Sequence, residues 1–397
     1  MTISKKVRTA MEDSSWVRRM FEEGEELKRQ HGEENVFDFS LGNPEMEPPS
    51  SLKRELKALA DHPITGMHRY MPNSGYSQTR NAIATFLKEE TGLPFEEKHL
   101  VMTVGAAGGL NVALKALLDE GEEVIVPSPY FAEFKFYIDN AGGRMRPVET
   151  HDDFSLNLKA LGKAIGKKTK AVLINTPNNP TGVVYGGDSL EHLGTLLKEK
   201  NQELGKTIHL ITDEAYRRII YDQIKLPIAF HYYPHTLRVT SHSKDLALPG
   251  ERIGYVAVSP QCEDLDELMS ALVFANRTLG FVNAPALMQR LVASLQRNSV
   301  NIREYEDKRD LLYDSLVSFG YEVVKPKGAF YIFPKAPIED DLAFVKDLQS
   351  KRILTVPGRG FGKPGYFRIA YCVEKKVIEG ALPGFREIAL KYGLKQS

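Results

Sequence analysis

The sequence predicts an α/β protein: a mostly parallel sheet sandwiched by helices, with a smaller α+β domain beside it. Three observations carry this reading. Between about residue 97 and residue 258, strand-like and helix-like runs alternate. From residue 300 the texture changes, and charged helices mix with short strands. Finally, Asn179, Asp213, Ser241 and Lys244 each fall just past the end of a strand-like run. In open parallel sheets that is the rim where ligands bind.

The elements follow in order. Residues 14–31 read as an amphipathic helix with Trp16, Met20 and Phe21 as apolar positions and Ser14 or Ser15 as its cap. Strand-like runs lie at 99–104, 122–126, 144–149, 170–175, 208–212, 236–241 and 253–258. Helix-like runs between them lie at 108–119, 130–140, 157–166 and 188–204. In the last hundred residues, helices are expected at 301–319, 341–351 and 374–393, and strands at 321–324, 329–333 and 366–371.

Composition narrows the function. Lysine plus arginine and aspartate plus glutamate both number 52, so nothing biases the chain toward nucleic acid or membrane, and small polar substrates fit better. Two cysteines, Cys262 and Cys372, are too few for a disulfide framework and point to a reducing compartment. Met1 to Lys6 lead into charged sequence without an apolar signal core, and no run approaches the length of a membrane span. The expectation is a cytoplasmic protein.

The chemistry gathers around Lys244. It lies in Ser241-His242-Ser243-Lys244, after the run Leu237-Arg238-Val239-Thr240, and Arg252 follows eight residues later. A lysine amine can form a Schiff base with an aldehyde, and hydroxyls with an arginine can hold a phosphate. Aldehyde and phosphate on one small molecule describe pyridoxal 5′-phosphate. Such a cofactor is an electron sink only while its ring nitrogen stays protonated, which a neighbouring carboxylate favours. Asp213, in Asp213-Glu214-Ala215-Tyr216 after Ile208-His209-Leu210-Ile211-Thr212, can supply it. Tyr216 and Asn179 can hydrogen-bond the ring's phenolic oxygen. Taken singly, Asp213 reads as a helix N-cap, Asn179-Pro180 as a turn and Lys244 as a surface lysine. Three such segments in this order, each closing a strand, favour the joint reading. Val104 to Gly109 is a glycine-rich strand-to-helix turn suited to an anion. A dinucleotide site would want an acidic residue after the next strand, but Val124-Ile125-Val126 ends in Pro127-Ser128-Pro129. His231 and His235 have metal-like spacing, but Pro234 between them argues for a loop, and no metal site is expected.

Together these segments resemble the class I/II aminotransferases, the aspartate-aminotransferase-like group of fold-type I pyridoxal-phosphate enzymes. The matching residues are Ser40-Leu41-Gly42-Asn43-Pro44, Asn179-Pro180-Thr181-Gly182, Asp213-Glu214-Ala215-Tyr216, Ser241-His242-Ser243-Lys244, Arg252-Ile253-Gly254 and Phe367-Arg368-Ile369-Ala370. The resemblance implies a large cofactor-binding domain over 47–285 and a small domain formed by 1–46 with 286–397. It implies that Lys244, Asp213 and Tyr216 carry the chemistry. The Ala106 and Ala107 amides would hold the phosphate with Ser241, Ser243 and Arg252, and Tyr130 would stack on the ring. Tyr70 would reach the phosphate of a neighbouring subunit, which implies a homodimer with shared sites. Arg368, with Gly42 and Asn179, would bind the substrate α-carboxylate.

The expected reaction moves an amino group between an L-amino acid and a 2-oxo acid, 2-oxoglutarate, by a ping-pong mechanism. Some relatives that prefer aspartate carry a lysine near the glycine-rich turn, where this chain has Ala107. Arg277 lies close to where other relatives place a partner-subunit arginine for the same distal carboxylate. A surface or interface arginine is the equal alternative. Two rival functions remain: a pyridoxal-dependent carbon–sulfur β-lyase or related elimination enzyme, and a ligand-sensing regulator. The regulator would need an appended DNA-binding segment, for which the stretch from the 14–31 helix to Gly42 leaves no room.

Overall fold

The computed structural model describes residues 2–13 and 16–395. Two helices, α1 (Lys5–Asp13) and α2 (Trp16–His31), open the chain. Ser14 and Ser15, read as the helix cap, and the side chains of Trp16 and Phe21 lie outside the described residues. Met20 is buried. A short strand, β1 (Phe37–Asp38), and helices α3 (Ser50–Asp61) and α4 (Ser77–Thr91) follow.

The central sheet comprises β2 (Leu100–Thr103), β3 (Glu123–Ser128), β4 (Arg144–Glu149), β5 (Thr169–Asn175), β6 (His209–Asp213), β7 (Thr236–Ser241) and β8 (Gly254–Val258). Its spatial order is β2-β8-β7-β6-β5-β3-β4. Only β8 runs against its neighbours; β3 to β7 are mutually parallel. Its inner strands are buried almost throughout, as strands covered on both faces must be. β4 lies at the edge, mostly open to solvent, and there Pro147 is tolerated.

Period-two alternation sorts the strand side chains between two cores. Val124, Val126, Ala171, Leu173 and Ile211 face α5 (Gly105–Leu117), α6 (Phe134–Asn140) and α9 (Leu265–Thr278). Ile125, Val172, Ile174 and Leu210 face α7 (Leu158–Ala164), α8 (Gly187–Leu204) and the C-terminal region. At the other end of the sheet, Leu100, Met102, Tyr255 and Ala257 pack with α4 and α10 (Ala286–Ser294). The division expected at residue 285 thus falls directly before a helix that packs on the large-domain side.

The C-terminal region holds α11 (Ile302–Ser318), β9 (Tyr331–Ile332), α12 (Asp341–Ser350), β10 (Ile353–Leu354), β11 (Val356–Pro357), β12 (Phe367–Ala370) and α13 (Lys375–Lys391). β1 pairs with β10 in parallel, and Phe39 packs on Phe385. The residues before 40 are thereby joined to this region. The strand expected at 321–324 is absent. That run has no partner strand; Tyr321 instead turns its ring onto Phe344, Phe367 and Phe385 and donates its hydroxyl to the Phe385 carbonyl.

Behind the sheet lies a buried ion cluster. Arg238, on β7, meets Glu214 Oε2 and Glu90 Oε2, each at 2.9 Å. Arg217 also pairs with Glu90. Burial alone would push the Glu90 carboxyl up, but the two guanidinium groups outweigh it and hold the group at about 2. Breaking a buried pair by removing one partner leaves an uncompensated charge. Arg238→Ala is therefore expected to cost about 3–5 kcal/mol of stability, on that principle. Equilibrium denaturation checks it; a loss under about 1 kcal/mol, the range of exposed pairs, would mean the cluster is screened by water.

Candidate active site

The parallel strands bring their polar ends to one rim. Asn175 ends β5, Asp213 ends β6 directly opposite it, and Ser241 ends β7. Around this rim is a cavity of about 380 Å³. Its lining includes Gly42, Ala106, Ala107, Asn179, Asp213, Tyr216, Ser241, Ser243, Lys244, Arg252 and Arg368. Of the sequence-expected site residues, Tyr130, Tyr70 and Arg277 are not part of it.

Asp213 is buried, and its Oδ1 has no hydrogen-bond partner among the described residues. Burial pushes its carboxyl up to about 7; the Ala215 amide opposes this and the Glu214 charge adds to it. An unpaired buried acceptor costs free energy that a matching donor would recover.

Lys244 donates to the Gly42 carbonyl at 2.6 Å. Burial, with Arg252 and Arg368 contributing, pushes its amine down to about 8, although Cys372 opposes this. Near neutral pH a far larger share than in an ordinary lysine is therefore in the neutral, nucleophilic form.

At the other end of the cavity lies an anion cradle. Ala106 and Ala107 lie in the first turn of α5, where backbone N–H groups lack helical partners. Arg252 approaches closely, its guanidinium 3.4 Å from the Val104 carbonyl and 2.8 Å from the Pro249 carbonyl. A Cβ on Gly105 would sit 2.8 Å from the Arg252 Nη2, and Gly105 has φ +74°, so both approach and backbone require glycine.

Arg368, on β12, is buried. Its Nη1 donates to Asn179 Oδ1 at 3.1 Å and its Nη2 to the Ser40 carbonyl at 2.5 Å, while Nε has no hydrogen-bond partner among the described residues. The guanidinium lies over the rings of Tyr331 and Phe361, each 4.7 Å away. Tyr216 and Tyr331 share a 2.8 Å hydroxyl contact. A Cβ at residue 42 would fall 1.8 Å from the Tyr331 hydroxyl, which explains Gly42.

Tyr130 is a correction. Its backbone N–H donates to the Phe361 carbonyl and its ring wedges against Gly362. The next residue, Phe131, faces the cavity instead. Sequence reasoning also missed Tyr331, Phe361, Glu133 and Tyr137, all in the lining. The run Tyr130-Phe131-Ala132-Glu133-Phe134 contained the signal, since it sits just past the end of β3.

Tyr70 is 90% exposed, and Arg277 is exposed in the last turn of α9. The two segments are pinned together: Asn276 Nδ2 donates to the Asn73 carbonyl at 3.0 Å, and Asn73 Nδ2 to the Val282 carbonyl at 3.1 Å. His231 contacts the Thr91 carbonyl, and His235 lies 3.8 Å from Cys262. Among the described residues no group of three His, Cys, Asp or Glu is placed to hold a metal ion, and no helix is long and apolar enough to cross a membrane.

Residues 34–383 match the family described as aminotransferase class I and II. A probable aspartate aminotransferase of Methanocaldococcus jannaschii is 30% identical, over 89% of this chain and 93% of its own. Aromatic-amino-acid aminotransferase 2 of Thermococcus litoralis is also 30% identical, over 96% and 97%. A crystal structure of an aminotransferase from Eubacterium rectale superposes with a TM-score of 0.96 at 39% identity, covering 99% of this chain and 100% of that one.

The chain belongs to the class I and II aminotransferase family. It is a pyridoxal-phosphate-dependent transaminase with the aspartate aminotransferase fold. The residues present fit the cofactor: the aminotransferase offers an orphaned carboxyl oxygen for a protonated ring nitrogen, a desolvated amine for the aldehyde and a cation with open amides for the phosphate. In the cofactor-free aminotransferase, an amine-directed acylating reagent should label Lys244 with a pH midpoint near 8. Ordinary lysines titrate at about 10.4. Peptide mapping across pH checks it; a midpoint near the ordinary value would show that the amine is solvated.

Proposed function

We propose that the cavity binds pyridoxal phosphate through Lys244, Asp213, Tyr216, Asn179, Ser241, Ser243, Arg252 and the Ala106 and Ala107 amides. In this reading the enzyme transfers an amino group from an L-amino acid to a 2-oxo acid, 2-oxoglutarate, in a ping-pong cycle. The observation that carries it is the unpaired, buried Asp213 carboxyl beneath a cavity whose wall presents the Lys244 amine. When bound, the cofactor supplies the electron sink and the temporary seat for the amino group. Asp213 holds the ring nitrogen's proton, and that pairing brings its own carboxyl back down from about 7. Tyr216 and Asn179 orient the phenolic edge. Arg368 takes the α-carboxylate, its free Nε adding to donors now spent on Asn179 and Ser40. Lys244, once released by the incoming amino group, moves the α-proton. The relatives' names favour transfer over elimination. Cofactor absorbance tests the reading: an amino acid alone should convert the enzyme to its amine form, and only an added 2-oxo acid should restore the aldehyde form. Asp213→Asn should slow that turnover by about a hundredfold or more; near-normal turnover would show that the carboxylate serves something else.

The active unit is proposed to be a homodimer. Tyr70 and Arg277 share one exposed surface of the chain, outside its own cavity, where a second copy's site can use both. Mixing inactive Tyr70→Phe and Lys244→Ala variants should regenerate part of the activity, because one hybrid site is intact. Arg277→Ala should weaken dicarboxylic substrates by several hundredfold, the scale of a desolvated charge pair losing one partner. Alanine should be nearly untouched. Equal losses for both, measured as kcat/KM, would make Arg277 structural.

A further inference from the structure

Two carboxylates line the cavity, and only Asp213 has a role in the cofactor reading. The other, Glu133, begins the turn into α6 and is half-buried. Among the described residues its carboxylate has neither a hydrogen bond nor an ion pair, although many of the chain's carboxylates are paired with a lysine or arginine. The cations in the lining, Lys244, Arg252 and Arg368, are all committed to the cofactor or the α-carboxylate. None of them acts on Glu133, whose carboxyl is pushed up by burial alone. Tyr137, one turn further along α6, shows where Glu133 lies. Burial dominates in raising that phenol, but Glu133 and Asp213 both contribute to it and Arg252 opposes. Tyr137 and Glu133 thus line the same cavity as Asp213 and Arg252. Glu133 lines the cavity with its chain neighbours Phe131 and Ala132, and no lysine or arginine of the lining pairs with it among the described residues.

A half-buried carboxylate without a partner among the described residues, in a ligand cavity, is an acceptor open to a donor. Resting on the aminotransferase reading, we propose that Glu133 is a specificity-determining residue. It receives the side chain of the amino donor and selects amino acids whose side chain ends in a cationic or amide N–H group. The dicarboxylic acceptor then depends on a cation from outside this chain's own cavity, and the two half-reactions use different distal contacts. Phe131 and Tyr137 flank the carboxylate and supply the apolar and hydroxyl surface for the intervening methylenes.

The test uses the cofactor-loaded enzyme and unreactive carboxylates that differ only at the far end: 4-guanidinobutanoate, pentanoate and glutarate. Calorimetric Kd values are measured for wild type, Glu133→Gln and Glu133→Ala. Wild type should bind 4-guanidinobutanoate about 10- to 100-fold more tightly than pentanoate, the range for a hydrogen bond to a charged group. Glu133→Gln should erase most of that ratio, leave pentanoate unchanged and improve glutarate. Equal wild-type affinities for the guanidino and alkyl compounds would overturn the proposal, as would a Glu133→Gln loss that is the same for both. Failure of pentanoate itself to bind, or an affinity unmoved by Arg368→Gln, would overturn the α-carboxylate assignment instead, so the two readings fail separately.

Discussion

The site is organised by a single buried cation. Arg368 lies on a strand of the C-terminal region, yet its guanidinium reaches Asn179 in the loop after β5 and the Ser40 carbonyl from the N-terminal stretch. Two aromatic faces enclose it. A desolvated guanidinium tolerates such a place only if its donors are used. Here two of them are used by two other parts of the chain, so one charge fixes where those parts stand relative to its own strand. An incoming carboxylate competes for the same donors. Substrate binding and the mutual placement of the chain's parts are therefore not independent events.

The electrostatics of the cavity show the same economy. Asp213 is held near 7 and Lys244 near 8, both chiefly by burial. Each is the less charged, more costly version of a group that would ionise freely in water. A ring nitrogen carrying a proton relieves the first, and a covalent partner relieves the second. The empty cavity is thus a set of unmet demands. In the ion cluster on the far side of β7, by contrast, each charge has an opposite charge beside it: Glu214 and Glu90 face Arg238 and Arg217.

Much of this was legible in the sequence because β-branched runs ending in polar residues mark the rim of a parallel sheet. The expected bounds 144–149 and 236–241 coincide with β4 and β7. What escaped was a matter of one-residue offsets and of neighbours distant in sequence. Whether Tyr130 or Phe131 faces the cavity turns on a single step of alternation, and Gly362, far along the chain, decides it by accepting the Tyr130 ring. Tyr331 sits in Ala329-Phe330-Tyr331-Ile332-Phe333, which reads as core, and its ties to the site, Tyr216, Gly42 and Arg368, all lie far away in sequence. The run 321–324 has strand composition but pairs with no strand among the described residues. Helices α3, α4, α9 and α10 were not anticipated, although Leu268, Leu272 and Ala275 of α9 carry a helical period.

The one reversed strand has a further consequence. Every crossover among β3 to β7 carries the chain back beneath the sheet before it can return to the rim. β8 runs the other way, so its first residue already stands where the others finish. The segment from Ser241 to Arg252 therefore leaves the rim and re-enters it without crossing the sheet. Lysine, hydroxyls and arginine ride on one short loop anchored at both ends by adjacent strands. Such a loop gathers the chemistry into one short segment, held at its ends by strand pairing and in its middle by Leu246 and Leu248, which are buried with side chains of α4 and α10, so its length cannot change without disturbing that core.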